Sequence, residues 1–355
     1  MGMRGVLIWI AAVAFILGFG LGPTIVECLV EESDTGATRV AMLHYGPMGD
    51  SGWTYQGHRA VQRLAEALPW VVVEEVEDAP ARGGEQAVRQ YAEAGFDVIF
   101  THGWGSDIVP EIAADYPDTV FMCGGAHGRL APSVGTYYGR TPEARYLVGM
   151  IAGRMTESGA IGYAPSYPLP RVIAGINAFA RGVAATNPEA TIHIEWVGEW
   201  YDPPREGEAV SALIERGCDV VAHDSDSFAC AQTAEAAGVL YIASNGEEMR
   251  TYAPSVYLAG LEWDWMPLFT DVVTAVRDGT WETRADQGWW YGLAEGGVTL
   301  ASMSDLVPEA VQQEVEARRE EILRGEFTVF PELTDEQLWH VDTFEPNVVT
   351  EAPEG

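Results

Sequence analysis

Two hydrophobic patterns alternate along most of this chain. Short apolar runs, such as residues 40–43 and 97–101, predict buried β-strands, and stretches with apolar residues at helical spacing, such as 53–68 and 85–94, predict helices between them. Strands that alternate with helices of about ten residues or more indicate βαβ units and parallel sheets.

The same alternation begins again after a predicted helix over residues 142–156. A chain of 355 residues is long enough for two core-forming units. The sequence therefore predicts two related α/β lobes. The second series has predicted strands at 160–163, 191–197, 219–222 and 239–243 and predicted helices at 171–185 and 206–216.

The amino-terminal segment has the features of a membrane address. No charged residue lies between Arg4 and Glu27, and residues 6–21 are almost wholly apolar, which fits a signal peptide or a short spanning helix. Arg4 before this segment and the acids after it predict export of the rest of the chain. Cys28 stands where a lipidated cysteine is expected, but Glu27 replaces the usual small residue. Lipidation, an uncleaved anchor and cleavage near residues 20–22 all remain open.

The charge of the chain is strongly negative. Asp and Glu number 53 against 20 basic residues, all of them Arg, for a net charge of −33. Such a field repels phosphates, so the composition argues against nucleic-acid binding. The acids are spread along the whole chain, which is typical of a halophilic surface kept soluble by carboxylates. An acidic surface for a partner is the alternative.

Composition also argues against an enzyme. Without lysine the chain cannot form a Walker-A loop, a Schiff base or a pyridoxal phosphate linkage. The four cysteines form no CxxC pair and the seven histidines are dispersed, so we expect neither a metal site nor a cofactor. A nucleoside hydrolase is the main enzymatic alternative. Asp224 and Asp226 are spaced like part of its calcium cluster, but an amino-terminal Asp-x-Asp run is absent.

The loops that follow the predicted strands combine aromatic rings with carboxylates. Ligands of parallel sheets bind at the carboxyl ends of the strands, so these loops are candidate ligand contacts. Rings stack on a flat heterocycle, while carboxylates and amides bond to its edge or to a sugar hydroxyl. A phosphorylated ligand would need basic or glycine-rich anion sites instead. The pattern predicts an uncharged planar ligand held by loops at residues 45–53, 102–107, 165–168, 198–202, 223–227 and 244–246.

Residues 46–55, Gly-Pro-Met-Gly-Asp-Ser-Gly-Trp-Thr-Tyr, resemble the first ligand loop of the basic membrane protein family. Members of that family are purine-nucleoside-receptor-like substrate-binding lipoproteins of ABC importers. The similarity runs in order from about residue 40 to about residue 330. Further stretches that resemble the family lie at residues 143–153, 171–179, 200–203, 226–227 and 291–298.

The resemblance implies an α/β, periplasmic-binding-protein type I fold, with two doubly wound parallel-sheet lobes joined by a three-strand hinge. It implies an extracytoplasmic protein that binds a purine nucleoside or nucleobase of the adenosine, adenine, inosine or guanosine class and delivers it to an ABC permease. We expect a monomer tethered to the membrane by its amino-terminal segment. A surface sensor with a signalling partner is an alternative.

The predicted division of the chain has four parts. A signal or anchor segment and linker covers residues 1–38, and an acidic carboxyl-terminal extension, expected to be solvated, covers 331–355. Lobe one comprises residues 39–140 and about 246–285. Lobe two comprises residues 141–245 and about 286–330.

The resemblance and the loop pattern together nominate ten ligand-binding residues. Trp53 would be the stacking ring of lobe one, and Trp200 and Asp226 would contribute from lobe two. Arg171 opens a helix at the cleft mouth. The other candidates are polar or aromatic residues of the same loops and of the hinge side: Asp50, Tyr55, Trp104, Tyr167, Asn245 and Trp265. Trp289 and Trp290 lie in a strand-like run and are interpreted as structural.

Overall fold

The chain forms two β-sheets whose faces are covered by helices, as the alternating pattern predicts. The structure is a computed structural model that describes residues 36–128, 130–282 and 288–350. Each sheet is buried between two hydrophobic clusters, one on each face. This arrangement explains why the strands read as continuous apolar runs.

The first sheet has six strands, and every neighbouring pair is parallel. Its order is β11-β5-β4-β3-β1-β2, so the amino-terminal strand lies inside the sheet. The strands are β1 (Thr38–His44), β2 (Val71–Val76), β3 (Val98–His102), β4 (Val120–Gly124), β5 (Val134–Gly139) and β11 (Trp289–Tyr291). The helices that cover it are α1 (Trp53–Ala67), α2 (Gly84–Glu93), α3 (Val109–Ala113) and α8 (Met266–Arg277), with a short 3₁₀ helix at Pro80–Arg82.

The second sheet has seven strands in the order β12-β10-β9-β8-β6-β7-β13. Only the β10–β12 pair is antiparallel. Its strands are β6 (Ala160–Ala164), β7 (Thr191–Ile194), β8 (Val220–His223), β9 (Leu240–Ala243), β10 (Tyr257–Trp263), β12 (Val298–Leu300) and β13 (Val348–Thr350). The helices are α4 (Pro142–Met155), α5 (Pro170–Thr186), α6 (Pro203–Glu215), α7 (Ala229–Ala237), α9 (Glu309–Leu323) and α10 (Asp335–Leu338), with a 3₁₀ helix at Glu247–Thr251.

Two glycines let helices α4 and α5 pack backbone to backbone. A Cβ on Gly149 would lie 2.2 Å from the carbonyl oxygen of Phe179, and a Cβ on Gly182 would lie 2.0 Å from that of Tyr146. Any side chain at either position would force the helices apart. This contact forms the centre of the larger core cluster of the second sheet.

The chain crosses between the two sheets three times. It leaves β5 for α4, leaves β10 for α8, and leaves β11 for β12. The sequence placed residues 246–285 in lobe one. In the structure β10, within that range, pairs with β9 of the second sheet, whereas α8 packs on α1 of the first. We therefore propose lobe boundaries at these three crossings.

Residues 331–350 of the carboxyl-terminal segment are packed on the fold, contrary to the solvated extension expected from its acidic composition. Strand β13 pairs in parallel with β7, and Leu338 is buried in the core of the second sheet. The Arg181 guanidinium, at the surface of α5, donates to both Glu332 and Glu345. The prediction was wrong because the acids of this segment have basic partners on the second lobe, which a single-segment composition cannot reveal.

The predicted signal or anchor segment and Cys28 lie outside the described residues. In residues 36–350, apart from the undescribed positions 129 and 283–287, no helix combines the length and the apolar character needed to cross a membrane.

Candidate ligand-binding site

A cavity of about 370 Å³ lies where the carboxyl ends of strands from both sheets meet. Its lining includes loop residues that follow β1, β3 and β4 of the first sheet and β7, β8 and β9 of the second. The volume is within the range of about 300–1,000 Å³ that is usual for small-molecule sites. The position agrees with the general rule for parallel sheets.

Asp50 fixes the loop that leads into α1. Its Oδ1 accepts hydrogen bonds from the backbone N–H groups of Gly52 at 2.8 Å and Tyr55 at 2.9 Å, and its Oδ2 accepts one from Thr54 at 3.1 Å. These donors belong to the start of the helix, where N–H groups lack intrahelical partners and a negative charge is favourable. Asp50 is therefore a buried cap for α1 that also reaches the cavity wall.

Asp226 reaches the same helix from the other sheet. It lies in the loop after β8, and its Oδ1 accepts the backbone N–H of Trp53 at 2.9 Å. Carboxylates from both lobes thus meet at one helix N-terminus. Gly52 makes this approach possible, since a Cβ there would lie 2.3 Å from Oδ1 of Asp226. The structure is therefore closed at this point.

The two carboxyl groups influence each other's ionisation. Burial raises the pKa of Asp50 above its ordinary value, although its hydrogen bonds to the helix act in the opposite direction. Burial also raises the pKa of Asp226, and the nearby charge of Asp50 raises it further. The two like charges come from different lobes and lie close together, so this arrangement favours protonation of one of them.

Trp53 is held in a fixed orientation by other rings. The His102 ring stacks on it with the centroids 4.6 Å apart, and Trp263 and Trp265 pack edge-on at 5.3 and 4.8 Å. The His102 imidazole also binds the carbonyl oxygen of Trp53 at 3.1 Å. Tyr138 lies nearly parallel to Trp53 at 5.9 Å and also lines the cavity.

The second lobe contributes a cationic and aromatic wall. The Arg171 guanidinium, in the first turn of α5, lies 5.4 Å from the ring centre of Trp200 and 5.8 Å from that of Tyr138. Arg145 is buried beside it, where it donates to the carbonyl oxygen of His223 and to Ser244 Oγ. The cavity therefore holds two guanidinium groups as well as several carboxylates.

Asp224 is the second acid of the loop after β8. Its Oδ1 accepts the backbone N–H of Ser166 at 2.9 Å, and the residue lines the cavity. Burial raises the pKa of Asp224, while the charge of Arg145 lowers it. An acceptor in this position suits a hydroxyl or an N–H group of a ligand.

Comparison with known proteins identifies the family of this chain. Residues 37–331 match the family of PnrA-like ABC transporter substrate-binding proteins, named Bmp. The chain belongs to the Bmp family. It is therefore an ABC transporter substrate-binding protein, a class that works outside the cytoplasm.

Two relatives support the assignment and carry different ligand names. The chain is 35% identical over 308 residues to a Haloferax volcanii protein provisionally named as an ABC transporter glucose-binding protein, covering 85% of this chain and 78% of the relative. It is 34% identical over 295 residues to a purine-binding protein of Brucella abortus, covering 82% of this chain and 83% of the relative.

Solved structures of solute-binding proteins share the fold. An ABC transporter solute-binding protein of Conexibacter woesei aligns with a TM-score of 0.65 at 24% identity, covering 82% of this chain and 98% of that one. One from Aeropyrum pernix aligns with a TM-score of 0.69 at 19% identity, covering 86% of this chain and 98% of that one. The periplasmic-binding-protein fold expected from the sequence is confirmed.

The structure brings six of the ten candidate residues of this Bmp protein to the cavity and leaves four outside it. Trp265 is fully buried behind Trp53, and Trp104 packs in the first lobe with its Nε1 donating to Leu43. Tyr167 packs edge-on against Trp200, and Tyr55 contributes its backbone N–H to Asp50. The six that line the cavity are Asp50, Trp53, Arg171, Trp200, Asp226 and Asn245.

Several cavity residues were absent from the sequence-based set. Tyr138 comes from β5, a strand that sequence reasoning did not predict because its glycines and tyrosines break the apolar run. Trp263 ends β10, and its Nε1 donates to Asn245 Oδ1 at 3.2 Å. Arg145 lies in a helix that reads as core. Asp224 could have been predicted from the sequence, because it directly follows a buried strand and lies two residues before Asp226.

Proposed function

We propose that this Bmp protein binds a purine nucleoside or purine base between its lobes and presents it to an ABC permease. The observation that carries the proposal is the composition of the cavity. Six aromatic side chains line it (Tyr45, Trp53, Tyr138, Trp200, Tyr201 and Trp263), together with the acids of the loop after β8. Rings favour a flat heterocycle, and acceptors favour its N–H groups and ribose hydroxyls.

The charges of the cavity favour a ligand without phosphate. Asp224 and Asp226 occupy the loop after β8, and Glu199 lies at the mouth. The guanidinium of Arg145 is already engaged by protein acceptors, and that of Arg171 lies over two rings. A phosphate group would face several carboxylates, with the Arg171 guanidinium as the main cationic partner that is not already bonded to protein acceptors.

A sugar is the second candidate ligand, because the Haloferax volcanii relative carries glucose in its name. Stacked rings and carboxylates also suit a pyranose, which presents an apolar face and several hydroxyls. The two candidates differ in the area of flat ring that they bury, and therefore in their dependence on Trp53.

Catalysis is not part of the proposal. In the described part of the chain, Asp224 and Asp226 do not belong to any group of three metal-ligating side chains, and each has one oxygen bonded to a backbone N–H. Incubation with inosine and adenosine should release no free base. Release with turnover would replace the binding proposal by a hydrolase.

The decisive experiment is the identification of the ligand. Native mass spectrometry of the purified protein should reveal a co-purifying purine, and calorimetry on stripped protein should show saturable binding of adenosine, inosine, guanosine or adenine but not of glucose. Binding of glucose alone would refute the purine proposal and leave the family assignment intact.

The cellular setting is proposed from the sequence. The apolar segment before residue 36 would tether a monomer to the outer face of the membrane. Fractionation of cells, with and without mutation of Cys28 to Ser, distinguishes a lipid tether, which the mutation releases, from an apolar anchor, which it does not. Neighbouring permease and ATPase genes would support import, and a kinase or chemoreceptor gene would support sensing.

A further inference from the structure

A cluster of metal-ligating side chains lies in the first lobe, outside the ligand cavity. His44 ends β1, Glu75 lies on the neighbouring strand β2, and His58 lies on α1, which packs over them. Their candidate ligand atoms all lie within 4.8 Å of one another. Three consecutive elements of the chain therefore converge on one point.

The donor atoms are arranged around the Glu75 carboxylate. Its Oε2 is 2.8 Å from His44 Nε2 and 2.9 Å from His58 Nδ1. The His44 ring is buried and its Nδ1 has no hydrogen-bond partner, so Nε2 is its only nitrogen engaged. Ligand atoms around a tetrahedral ion are about 3.3 Å apart, given metal–ligand bonds of about 2.0–2.1 Å. The two separations between Glu75 and the histidines would thus need to lengthen by only about half an ångström.

We propose that His44, His58 and Glu75 bind a divalent transition metal ion of the zinc class, with solvent completing the coordination. Two imidazoles and one carboxylate form a donor set that suits zinc and disfavours magnesium and calcium, which prefer oxygen ligands. About a third of the His58 side chain is exposed (32%), which gives the ion and its water a route from solvent.

A second group of potential ligands is less suited to a metal. Glu206, His223 and Cys230 are fully buried in the second lobe. The Glu206 carboxylate accepts from the hydroxyls of Ser225 and Ser227, and His223 Nε2 lies 2.6 Å from the Tyr241 hydroxyl. All three residues of this group are closed to solvent, whereas His58 of the first cluster is partly exposed, so an ion has a route only to the first cluster.

A metal in the first cluster would join α1 to the first sheet. Helix α1 begins at Trp53, so the ion would hold the element that carries the stacking ring. We expect bound zinc to raise the thermal unfolding midpoint without changing which ligand the cavity binds.

The test uses the full chain, treated with EDTA, in about 1 M NaCl so that the acidic surface is screened. Calorimetry with Zn²⁺ should give saturable 1:1 binding, and Co²⁺ should give the intense visible absorption of a four- or five-coordinate site. His58→Ala should weaken Zn²⁺ binding at least tenfold, as should Glu75→Gln, which preserves the size of the side chain. His193→Ala, a change on β7 far from the cluster, is the control and should bind as the wild type.

Three results would overturn the proposal: no saturable Zn²⁺ binding, unchanged binding in both cluster variants, or a thiolate-to-cobalt charge-transfer band. The last result would assign the ion to a cysteine, such as Cys230, instead. Thermal unfolding of the metal-free variants shows whether each is folded. If His58→Ala does not fold, the Zn²⁺ affinity of Glu75→Gln tests the proposal.

A separate observation concerns the carboxyl-terminal segment, residues 332–350, which follows the part matched by the family. The segment is fastened to the second lobe. The Asn177 side chain of α5 donates to the carbonyl oxygen of Thr343 at 2.8 Å and accepts the backbone N–H of Glu345 at 3.0 Å. Strand β13 then extends the second sheet.

Trp339 of this segment contacts the first lobe. Its ring centre lies 5.3 Å from that of Tyr138 on β5 and 5.2 Å from that of Trp290 on β11. Nearby, Asp335 pairs with Arg140 at 3.2 Å, at the first crossing between the sheets. The segment therefore bridges both lobes beside the hinge.

We infer that Trp339 is a positioning residue for the ligand cavity, which it influences through Tyr138. Tyr138 lines the cavity and also contacts Trp339. The contact spans the two lobes and adds to the closed arrangement. The effect on affinity rests on the proposed ligand-binding function, whereas the effect on closure does not.

Phe344→Ala is a matched control because this residue belongs to the same segment but packs only with the second-lobe core, near Trp196. Small-angle scattering of the ligand-free protein should show a larger radius of gyration for Trp339→Ala than for wild type or Phe344→Ala. Trp339→Phe, which restores a ring, should return the radius to the wild-type value. Ligand affinity should fall severalfold in Trp339→Ala alone.

Equal radii for Trp339→Ala and wild type would refute the bridging role. An equal affinity loss in Trp339→Ala and Phe344→Ala would also refute it, since it would indicate general destabilisation of the segment. If wild type binds no purine, the proposed ligand is wrong, and the scattering comparison still decides the role of Trp339.

Discussion

Neighbouring side chains fix the orientation of Trp53 in the cavity. Trp53 is supported on one face by His102 and on its edges by Trp263 and Trp265, so its ring loses little freedom when a base stacks on it. Replacing Trp53 should also lower the stability of the fold, because the neighbouring rings would lose their contacts with it.

Trp53→Ala should weaken purine binding by about 1–3 kcal/mol, the usual worth of a base–aromatic stack. Calorimetry measures the change directly. Trp70→Ala is the control, since Trp70 lies before β2 with Arg277 over its ring, away from the cavity. Unchanged affinity in Trp53→Ala would remove Trp53 from the binding site.

His223 should make stability depend on pH. Burial lowers its pKa to about 3, and the charge of Arg145 adds to this effect. The unfolded chain takes up a proton near 6.5, whereas the folded protein does so only near 3. Its contribution is therefore complete above pH 6.5 and is lost as the pH falls toward 3, by up to about 1.4 kcal/mol per pH unit.

The measurement is urea unfolding of wild type and His223→Gln between pH 6.5 and about 4. The comparison is needed because buried acids such as Asp50 and Asp226 have raised pKa values and stabilise the fold as the pH falls. The wild type should lose stability more steeply than the variant. Identical slopes would contradict a buried neutral His223.

At the scale of elements, helix α1 of the first lobe makes hydrogen bonds to the second lobe. Asp226 binds the N-terminus of α1. The buried Gln56 side chain donates to the carbonyl oxygen of Asn245 at 2.5 Å, and Arg63 pairs with Asp264 at 3.2 Å. Because these contacts join the two lobes, we expect them to favour the closed arrangement when a ligand binds.

Gly52→Ala should prevent full closure. The new Cβ would lie 2.3 Å from Asp226 Oδ1 and 2.6 Å from its Cα, a clash that a side-chain rotation cannot relieve. We expect ligand affinity to fall at least tenfold, or about 1.4 kcal/mol, with little change in the thermal stability of the ligand-free protein. Gly49→Ala, where no atom lies within 4 Å, should bind normally. Similar affinities in the two variants would contradict the assigned contact.

At the scale of the whole molecule, the stability of the fold and the affinity for the ligand should respond differently to salt. With a net charge of −33, repulsion between carboxylates opposes the compact state. The protein has arginine–carboxylate pairs on its surface, but 20 basic residues cannot neutralise 53 acids.

Raising NaCl from about 0.1 M to about 1 M shortens the Debye length from about 10 Å to about 3 Å. The thermal unfolding midpoint should therefore rise substantially. Sucrose at equal osmolality stabilises by exclusion but does not screen charge, so it should give a smaller rise. Affinity for a neutral purine should change little over the same range. A steep loss of affinity with salt would indicate a charged solute.

Most of the fold could be predicted from the sequence, but the site could be predicted only in part. The apolar runs of β1, β3, β6 and β8 were recognisable because both of their faces are buried. Strand β5 was missed, since its glycines and tyrosines resemble a loop, and with it Tyr138 was missed. Trp104 lies just after β3 and Trp265 just before α8, positions that ligand-binding residues often occupy. Their rings nevertheless pack in the core of the first lobe.

By itself the sequence determined the two α/β lobes, the loops that carry rings and acids, and the family, because these depend on local periodicity and on motifs contiguous in the chain. Only the tertiary structure decided that Asp226 caps a helix of the other lobe, that Trp339 supports Tyr138, and that His44, His58 and Glu75 share one point. The first two contacts join residues far apart in the chain, and the third joins three successive elements. In all three cases the distances follow from how the sheets and helices pack.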